Sequence, residues 1–156
     1  MNAQAIYEKV QKEFGAAVVE FQAEGFNPSF IVVSPESIRE ICLFLKENPD
    51  LCFDSLMCLS GVDYKDRLAV SYHVFSTRHH HSIGVKAYLP CDNPVIPTVD
   101  TVWKAAIYME RETYDLVGIT FEGSCDLNRI LLPDDWVGHP LRKDYKYPEH
   151  YHGIKV

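Results

Sequence analysis

Ile6, Val10 and Phe14 recur at four-residue intervals and Gly15 follows them, a spacing that predicts an amphipathic helix over residues 3–14 with a glycine stop. Residues 16–21 read as a strand, and the uninterrupted apolar run 30–33 reads as a second, buried one. Ser34-Pro35-Glu36-Ser37 predicts a helix start, with Ser34 as N-cap and Pro35 at the first helical position. Ile38, Ile41, Cys42 and Leu45 give that helix one apolar face, and Asn48-Pro49 ends it.

Three further strand-like runs follow at 53–62, 68–77 and 81–89, with connections short enough for an antiparallel meander. Pro90 to Pro94 is a loop, and Asp100 is placed to cap a helix from Thr101 to about Leu116 that Gly118 closes. Beyond Gly118 the pattern changes. Gly123, Gly138, Gly153, Pro133, Pro140 and Pro148 interrupt any periodicity, yet Leu127, Ile130, Leu131, Leu132, Trp136, Leu141, Tyr145, Tyr147 and Tyr151 are too many large apolar groups for a solvated tail. The expectation is a single α/β (α+β) domain: a mixed, mainly antiparallel sheet with helices packed on it. Residues 1–122 form the core, and 123–156 form an extended docking segment of the same domain, lying partly on its own sheet and partly on a partner.

Composition narrows the function. With 15 Lys and Arg against 22 Asp and Glu, the 156-residue chain carries a net charge of −7, the wrong sign for a general binder of nucleic acid or anionic membranes. No apolar signal region opens the chain, and no run approaches the ~20 apolar residues a membrane span requires. Cys42, Cys52, Cys58, Cys91 and Cys125 include no C-x-x-C pair, which predicts reduced thiols in a cytosolic setting and no iron–sulfur ligation by this chain. His79-His80-His81 lies between two strands, where at most His79 and His81 share a face, so a metal site is not expected.

On the third helix Trp103, Ala106, Ile107, Thr113, Tyr114 and Val117 form one stripe with Glu110 near its middle, so this carboxylate needs a partner. A basic residue of the tail, such as Arg129, is the expected one. Lys104, Arg111, Glu112 and Asp115 fall on the opposite face, with Arg111 and Asp115 at i, i+4 spacing; this face reads either as a charged docking element or as an ordinary solvated one. Asp134 and Asp135 beside Trp136, with His139 nearby, offer the residue types of acid–base chemistry, although Pro-Asp is a common turn start. No nucleophile elbow, phosphate loop or dinucleotide turn accompanies them. From His139 onward Arg142, Lys143, Lys146 and Lys155 face only Asp144 and Glu149, a local positive segment suited to protein docking.

Glu110-Arg111-Glu112-x-x-Asp115-x-x-Gly118, followed by Arg129-Ile130-Leu131-Leu132-Pro133-Asp134-Asp135-Trp136-x-Gly138-His139-Pro140-Leu141-Arg142-Lys143-Asp144, resembles the signature of the 30-kDa subunit family, the C subunits of proton-pumping NADH:quinone oxidoreductase, respiratory complex I. The chain departs from that pattern at Ser124-Cys125 and at Asn128, and its length implies a member without the terminal extensions of longer ones. The resemblance implies a non-catalytic α/β subunit of the peripheral arm, bound to subunits D and B on the cytoplasmic side of the bacterial inner membrane. It would hold no cofactor itself, the FMN and iron–sulfur clusters residing in other subunits. It also implies that the signature residues, Glu110, Arg111, Glu112, Asp115, Arg129, Asp134, Asp135, Trp136, His139, Arg142, Lys143 and Asp144, mark the partner interface. The same likeness extends to equivalent subunits of membrane-bound hydrogenases, deazaflavin-dependent dehydrogenases and the photosynthetic NDH complex. A stand-alone ligand-binding or hydrolytic domain is the alternative of another class, and a preformed pocket joining His139 to Asp134 and Asp135 would distinguish it.

Overall fold

The computed structural model describes residues 1–23, 25 and 28–155. The final residue of the expected docking segment, Val156, lies outside them. Helix α1 (Ala3–Phe14) starts where the Asn2 side chain accepts the Ala5 amide at 2.9 Å, and it ends at Gly15. After a single tight turn comes β1 (Val18–Gln22), then β2 (Phe30–Val33) and α2 (Ile38–Glu47). Pro35–Ser37 is a separate 3-10 turn ahead of α2, and the Ser34 hydroxyl donates to Glu36 at 2.6 Å instead of capping a backbone amide.

The meander is present as β3 (Ser55–Asp63), β4 (Leu68–Ser76) and β5 (His81–Leu89), paired antiparallel in sequence order. β2 enters beside β5 in parallel, and β1 closes the far edge, giving the order β1-β2-β5-β4-β3. The fold is therefore the mixed, mainly antiparallel α/β arrangement that the pattern predicts. Alternation along the strands sends Ile31, Val33, Val70, Tyr72, Val74, Val85 and Ala87 into one core with Ile6 and Val10 of α1 and Ile38, Ile41 and Leu45 of α2. Ser60, Ser71, His73 and Lys86 occupy the alternate positions of the sheet.

The third helix begins later than its apolar pattern suggests: α3 spans Ala106–Val117. Asp100 does not cap it; residues 100–105 form turns, and the Asp100 carboxylate instead accepts the Cys125 amide at 3.1 Å. Trp103 lies in these turns, its indole N–H donating to the Phe53 carbonyl at 3.0 Å. Two short strands that periodicity could not reveal flank α3: β6 (Val95–Pro97) and β7 (Thr120–Glu122), parallel to each other. Helix α3 packs on β3 through Gly61, where an added Cβ would stand 2.7 Å from Thr113 Cγ2. After β7 the chain runs through turns to a small terminal hairpin, β8 (His150–Tyr151) and β9 (Ile154–Lys155).

Candidate functional site: a clamp between the third helix and the tail

Of the face read either as a docking element or as a solvated one, Arg111 and Asp115 meet the tail, whereas Lys104 and Glu112 are exposed. Asp115 is fully buried, and its Oδ2 accepts three successive backbone amides, Ile130 at 3.1 Å, Leu131 at 2.8 Å and Leu132 at 2.9 Å. Consecutive N–H groups converging on one oxygen form an anion-binding concavity, here filled by a side chain of the same protein. Its other oxygen, Oδ1, takes the Arg129 guanidinium at 2.6 Å. Burial alone would raise the Asp115 carboxyl, but the Leu132 amide, Arg129 and the Leu131 and Ile130 amides outweigh it and hold its pKa below the ordinary carboxylate value.

Arg129 also donates to carbonyls: Nη1 to Asp115 at 3.2 Å, and Nη2 to Trp136 at 2.9 Å and Gly138 at 3.1 Å. His139 Nδ1 lies 3.0 Å from the Asp115 carbonyl, which can only accept, so this nitrogen carries the proton. The Leu141 amide donates to the Leu116 carbonyl at 2.9 Å. The last turn of a helix leaves carbonyls without helical donors, and the tail supplies donors to those of Asp115 and Leu116. A cation beside a helix C-terminus also complements the helix dipole.

Arg111, one turn earlier on α3, does not pair with Asp115. Its Nε and Nη2 donate to the carbonyls of Asn128 at 3.0 Å and Arg129 at 2.9 Å, and Nη1 lies 3.4 Å from Asp126. Because the contact uses the backbone of residue 128, the departure from the family pattern at Asn128 leaves it intact. At Cys125 the same holds, since it is the amide that meets Asp100.

Glu110 is buried as the helical stripe requires, but its partner is not in the tail. The Thr98 hydroxyl donates to it at 2.6 Å and the Val99 amide at 2.8 Å, whereas Arg129 serves Asp115. The spacing locates the buried carboxylate correctly and names the wrong donor, because β6 and the turn after it lie against the stripe. Burial pushes its pKa up to about 7; Thr98 and Val99 oppose the shift and the nearby Asp100 carboxylate adds to it.

The remaining signature residues sit farther along the strap. Asp135 accepts the Tyr151 hydroxyl at 2.8 Å and His152 Nε2 at 2.7 Å, and the Trp136 ring rests 5.1 Å from that of Tyr151. Asp134 and Glu112 are exposed. Arg142 and the Lys143 amide approach Asp63 at 3.7 and 2.8 Å, and Asp144 stands 3.4 Å from Arg142. The groove at His139 is lined by Gly138, Arg142, Asp144, Tyr145 and Lys146, so it does not bring His139 together with Asp134 and Asp135 as a hydrolytic site would need. Asp63, Thr98 and Asp100 are partners that sequence reasoning missed. Each is an ordinary polar residue at a strand end or in a turn, without a motif of its own.

Among the described residues no group of three or more His, Cys, Asp or Glu is placed to hold a metal ion, and no helix is long and apolar enough to cross a membrane. The cysteines Cys42, Cys52, Cys58, Cys91 and Cys125 are free thiols. Fold and site together define a class: an α/β domain in which several of the signature residues bind its own tail to its third helix, with large apolar groups of that tail left exposed. The family model for the respiratory-chain NADH dehydrogenase, 30 Kd subunit, matches residues 31–151, and the chain belongs to that family.

The C subunit of the NADH-quinone oxidoreductase of Chlorobium phaeobacteroides is 43% identical over 99% of this chain and 95% of its own length. Its counterpart in Chloroherpeton thalassium is 45% identical over 96% of the chain, which spans 63% of that relative. Among solved structures, the trypsin-resistant fragment of Nqo5 superposes with a TM-score of 0.67 at 27% identity, covering 81% of this chain and 100% of the fragment. A chain of an archaeal membrane-bound sulfane sulfur reductase shares the fold, with a TM-score of 0.76 at 23% identity, over 92% of this chain and 85% of that one.

Proposed function

We propose that the chain is a non-catalytic structural subunit in the peripheral arm of an NADH:quinone oxidoreductase, on the cytoplasmic side of the bacterial inner membrane. There it supports electron transfer from NADH to quinone, coupled to proton translocation, by holding the quinone-module subunits D and B in register. FMN and the iron–sulfur clusters belong to other subunits. The observation that carries this reading is the clamp itself. The tail's polar backbone turns inward to Asp115, Arg111 and Asp63, while Leu131, Val137, Leu141, Tyr147 and Ile154 remain 59–85% exposed. Large apolar groups left on the outer side of an ordered strap mark a surface that another protein covers.

Deleting the native copy of the chain and restoring it from a plasmid tests the reading. Membranes of the deletion strain should lose NADH:quinone reductase activity and recover it on complementation, and an affinity tag on the restored chain should retain subunits D and B. The purified chain alone should be colourless and inactive with NADH. Full activity without the chain, or a stoichiometric flavin or cluster absorbance on it, would overturn the proposal.

A further inference from the structure

The turn between β3 and β4 and the tail, 80 residues apart in sequence, meet at Asp63. Its Oδ1 accepts the Lys65 amide at 2.7 Å and its Oδ2 the Lys143 amide at 2.8 Å, so both oxygens are engaged by backbone. These amides and the nearby Arg142 outweigh the effect of burial, which alone would raise the carboxyl, and keep its pKa below the ordinary value. Around this anchor lies a cavity of about 270 Å³ lined by Asp63, Lys65, Cys91, Arg142, Lys143 and Asp144.

The cations of that cavity are under-used. Among the described residues Arg142 Nη1 and Nη2 hydrogen-bond only to the Cys91 carbonyl, at 3.5 and 3.4 Å, and its Nε has Asp144 at 3.4 Å and Asp63 at 3.7 Å. Every one of these contacts is at or beyond the long edge of hydrogen bonding, so the planar fork that suits a carboxylate is not filled by one. The ammonium groups of Lys65 and Lys143 form no ion pair or hydrogen bond among the described residues. The Arg142 side chain is only 17% exposed, so an arriving anion would meet a partly desolvated charge, not a freely hydrated one.

Resting on the docking role proposed above, we infer that this cavity is the seat for an acidic side chain of a partner protein in the complex, held by Arg142 with Lys65 and Lys143 at its sides. The surroundings argue for a protein. A second groove of about 430 Å³ shares Arg142 and Asp144 and continues the cavity past His139 and Tyr145. Tyr147 packs against Tyr145 at 5.0 Å, and Leu141 and Tyr147 are 59% and 63% exposed, so an apolar rim adjoins the cationic pocket. A carboxylate flanked by apolar residues satisfies both halves of that surface. The Asp63 and Asp144 carboxylates in the lining disfavour a dianionic phosphate more than a single carboxylate.

The test uses the full chain, tagged and expressed in place of the native copy, and reads the NADH dehydrogenase activity kept on the tag through washes of rising NaCl. The Lys65→Ala/Lys143→Ala variant, which breaks no hydrogen bond or ion pair among the described residues and removes only the longer-range pull of the Lys143 charge on Asp63, should release the complex at lower salt, with retention about tenfold below wild type at the midpoint. Lys65→Arg/Lys143→Arg should behave as wild type, and the melting temperatures of all three should coincide. Superimposable release curves for the alanine variant and wild type would overturn the pocket. A chain ending at residue 122 separates that failure from failure of the docking role: if it too is retained, the tail does not dock at all. Lysine-dependent flotation with phosphatidylglycerol vesicles but not phosphatidylcholine vesicles, with complex retention unchanged, would assign the cavity to a lipid headgroup and equally overturn the inference.

Discussion

Glu110 and Asp115 are both fully buried on one short helix, yet the protein shifts their acidities in opposite directions. The difference lies in what each receives. Three amides and a guanidinium converge on Asp115, whereas among the described residues Glu110 is bonded by one hydroxyl and one amide, and Asp100 stands close enough to repel it. A raised pKa in the folded state means that the folded protein holds a proton the unfolded chain has released. The stabilising contribution of Glu110 is therefore complete below its ordinary value of 4.5 and is lost as pH rises toward and through about 7. Across that window the wild type should lose roughly 2–4 kcal/mol of stability from this one group. The Glu110→Gln variant keeps an acceptor for the Val99 amide without the titration, so its denaturant midpoint should vary less over the same range; an identical pH dependence in both proteins would show that Glu110 is not the group responsible.

At the scale of elements, the C-terminus of α3 is the joint that decides how the tail leaves the core. Gly118 adopts a left-handed φ of 80°, and its amide returns to the Tyr114 carbonyl at 2.9 Å, the helix-ending turn for which glycine is suited. A Cβ at this position would stand 2.5 Å from Cδ2 of the His139 ring, so Gly118→Ala should combine backbone strain with displacement of the tail and cost about 1–3 kcal/mol. Adding His139→Ala should relieve part of that loss, and a thermal-denaturation cycle of the two single variants and the double variant measures it; strict additivity would mean that the ring is not pressed against this turn. Periodicity made the meander, α1, α2 and the glycine end of α3 legible, because each repeats a period over many residues. It failed at β6 and β7, which have three residues apiece, and at the start of α3, where Trp103 continues the apolar stripe from within a turn. The signature residues of the tail were legible as a set, but their pairing was not: Asp115 and Arg129 are 14 residues apart across a path, bent at Gly118 and Gly123, whose course no local rule dictates.

For the whole molecule, the clamp makes core and tail depend on each other. The strap after β7 is not an appendage, since removing it would leave Asp115 buried or newly hydrated without its guanidinium and three amides, and would strip donors from the Asp115 and Leu116 carbonyls. Breaking a buried pair by removing one partner typically costs about 3–5 kcal/mol, which for a domain of this size corresponds to a fall in melting temperature on the order of 10 °C. The terminal hairpin is different. Among the described residues its links to the rest are the exposed contacts of Tyr151 and His152 with Asp135 and the Trp136 ring beside Tyr151, and exposed pairings of this kind contribute little. A chain ending at residue 122 should therefore melt far below the full-length protein, whereas one ending at residue 149 should melt close to it. Calorimetry of the two truncations at neutral pH checks this, and a chain ending at residue 122 that melts like the intact protein would reduce the clamp to a surface contact, with the tail held only when a partner holds it.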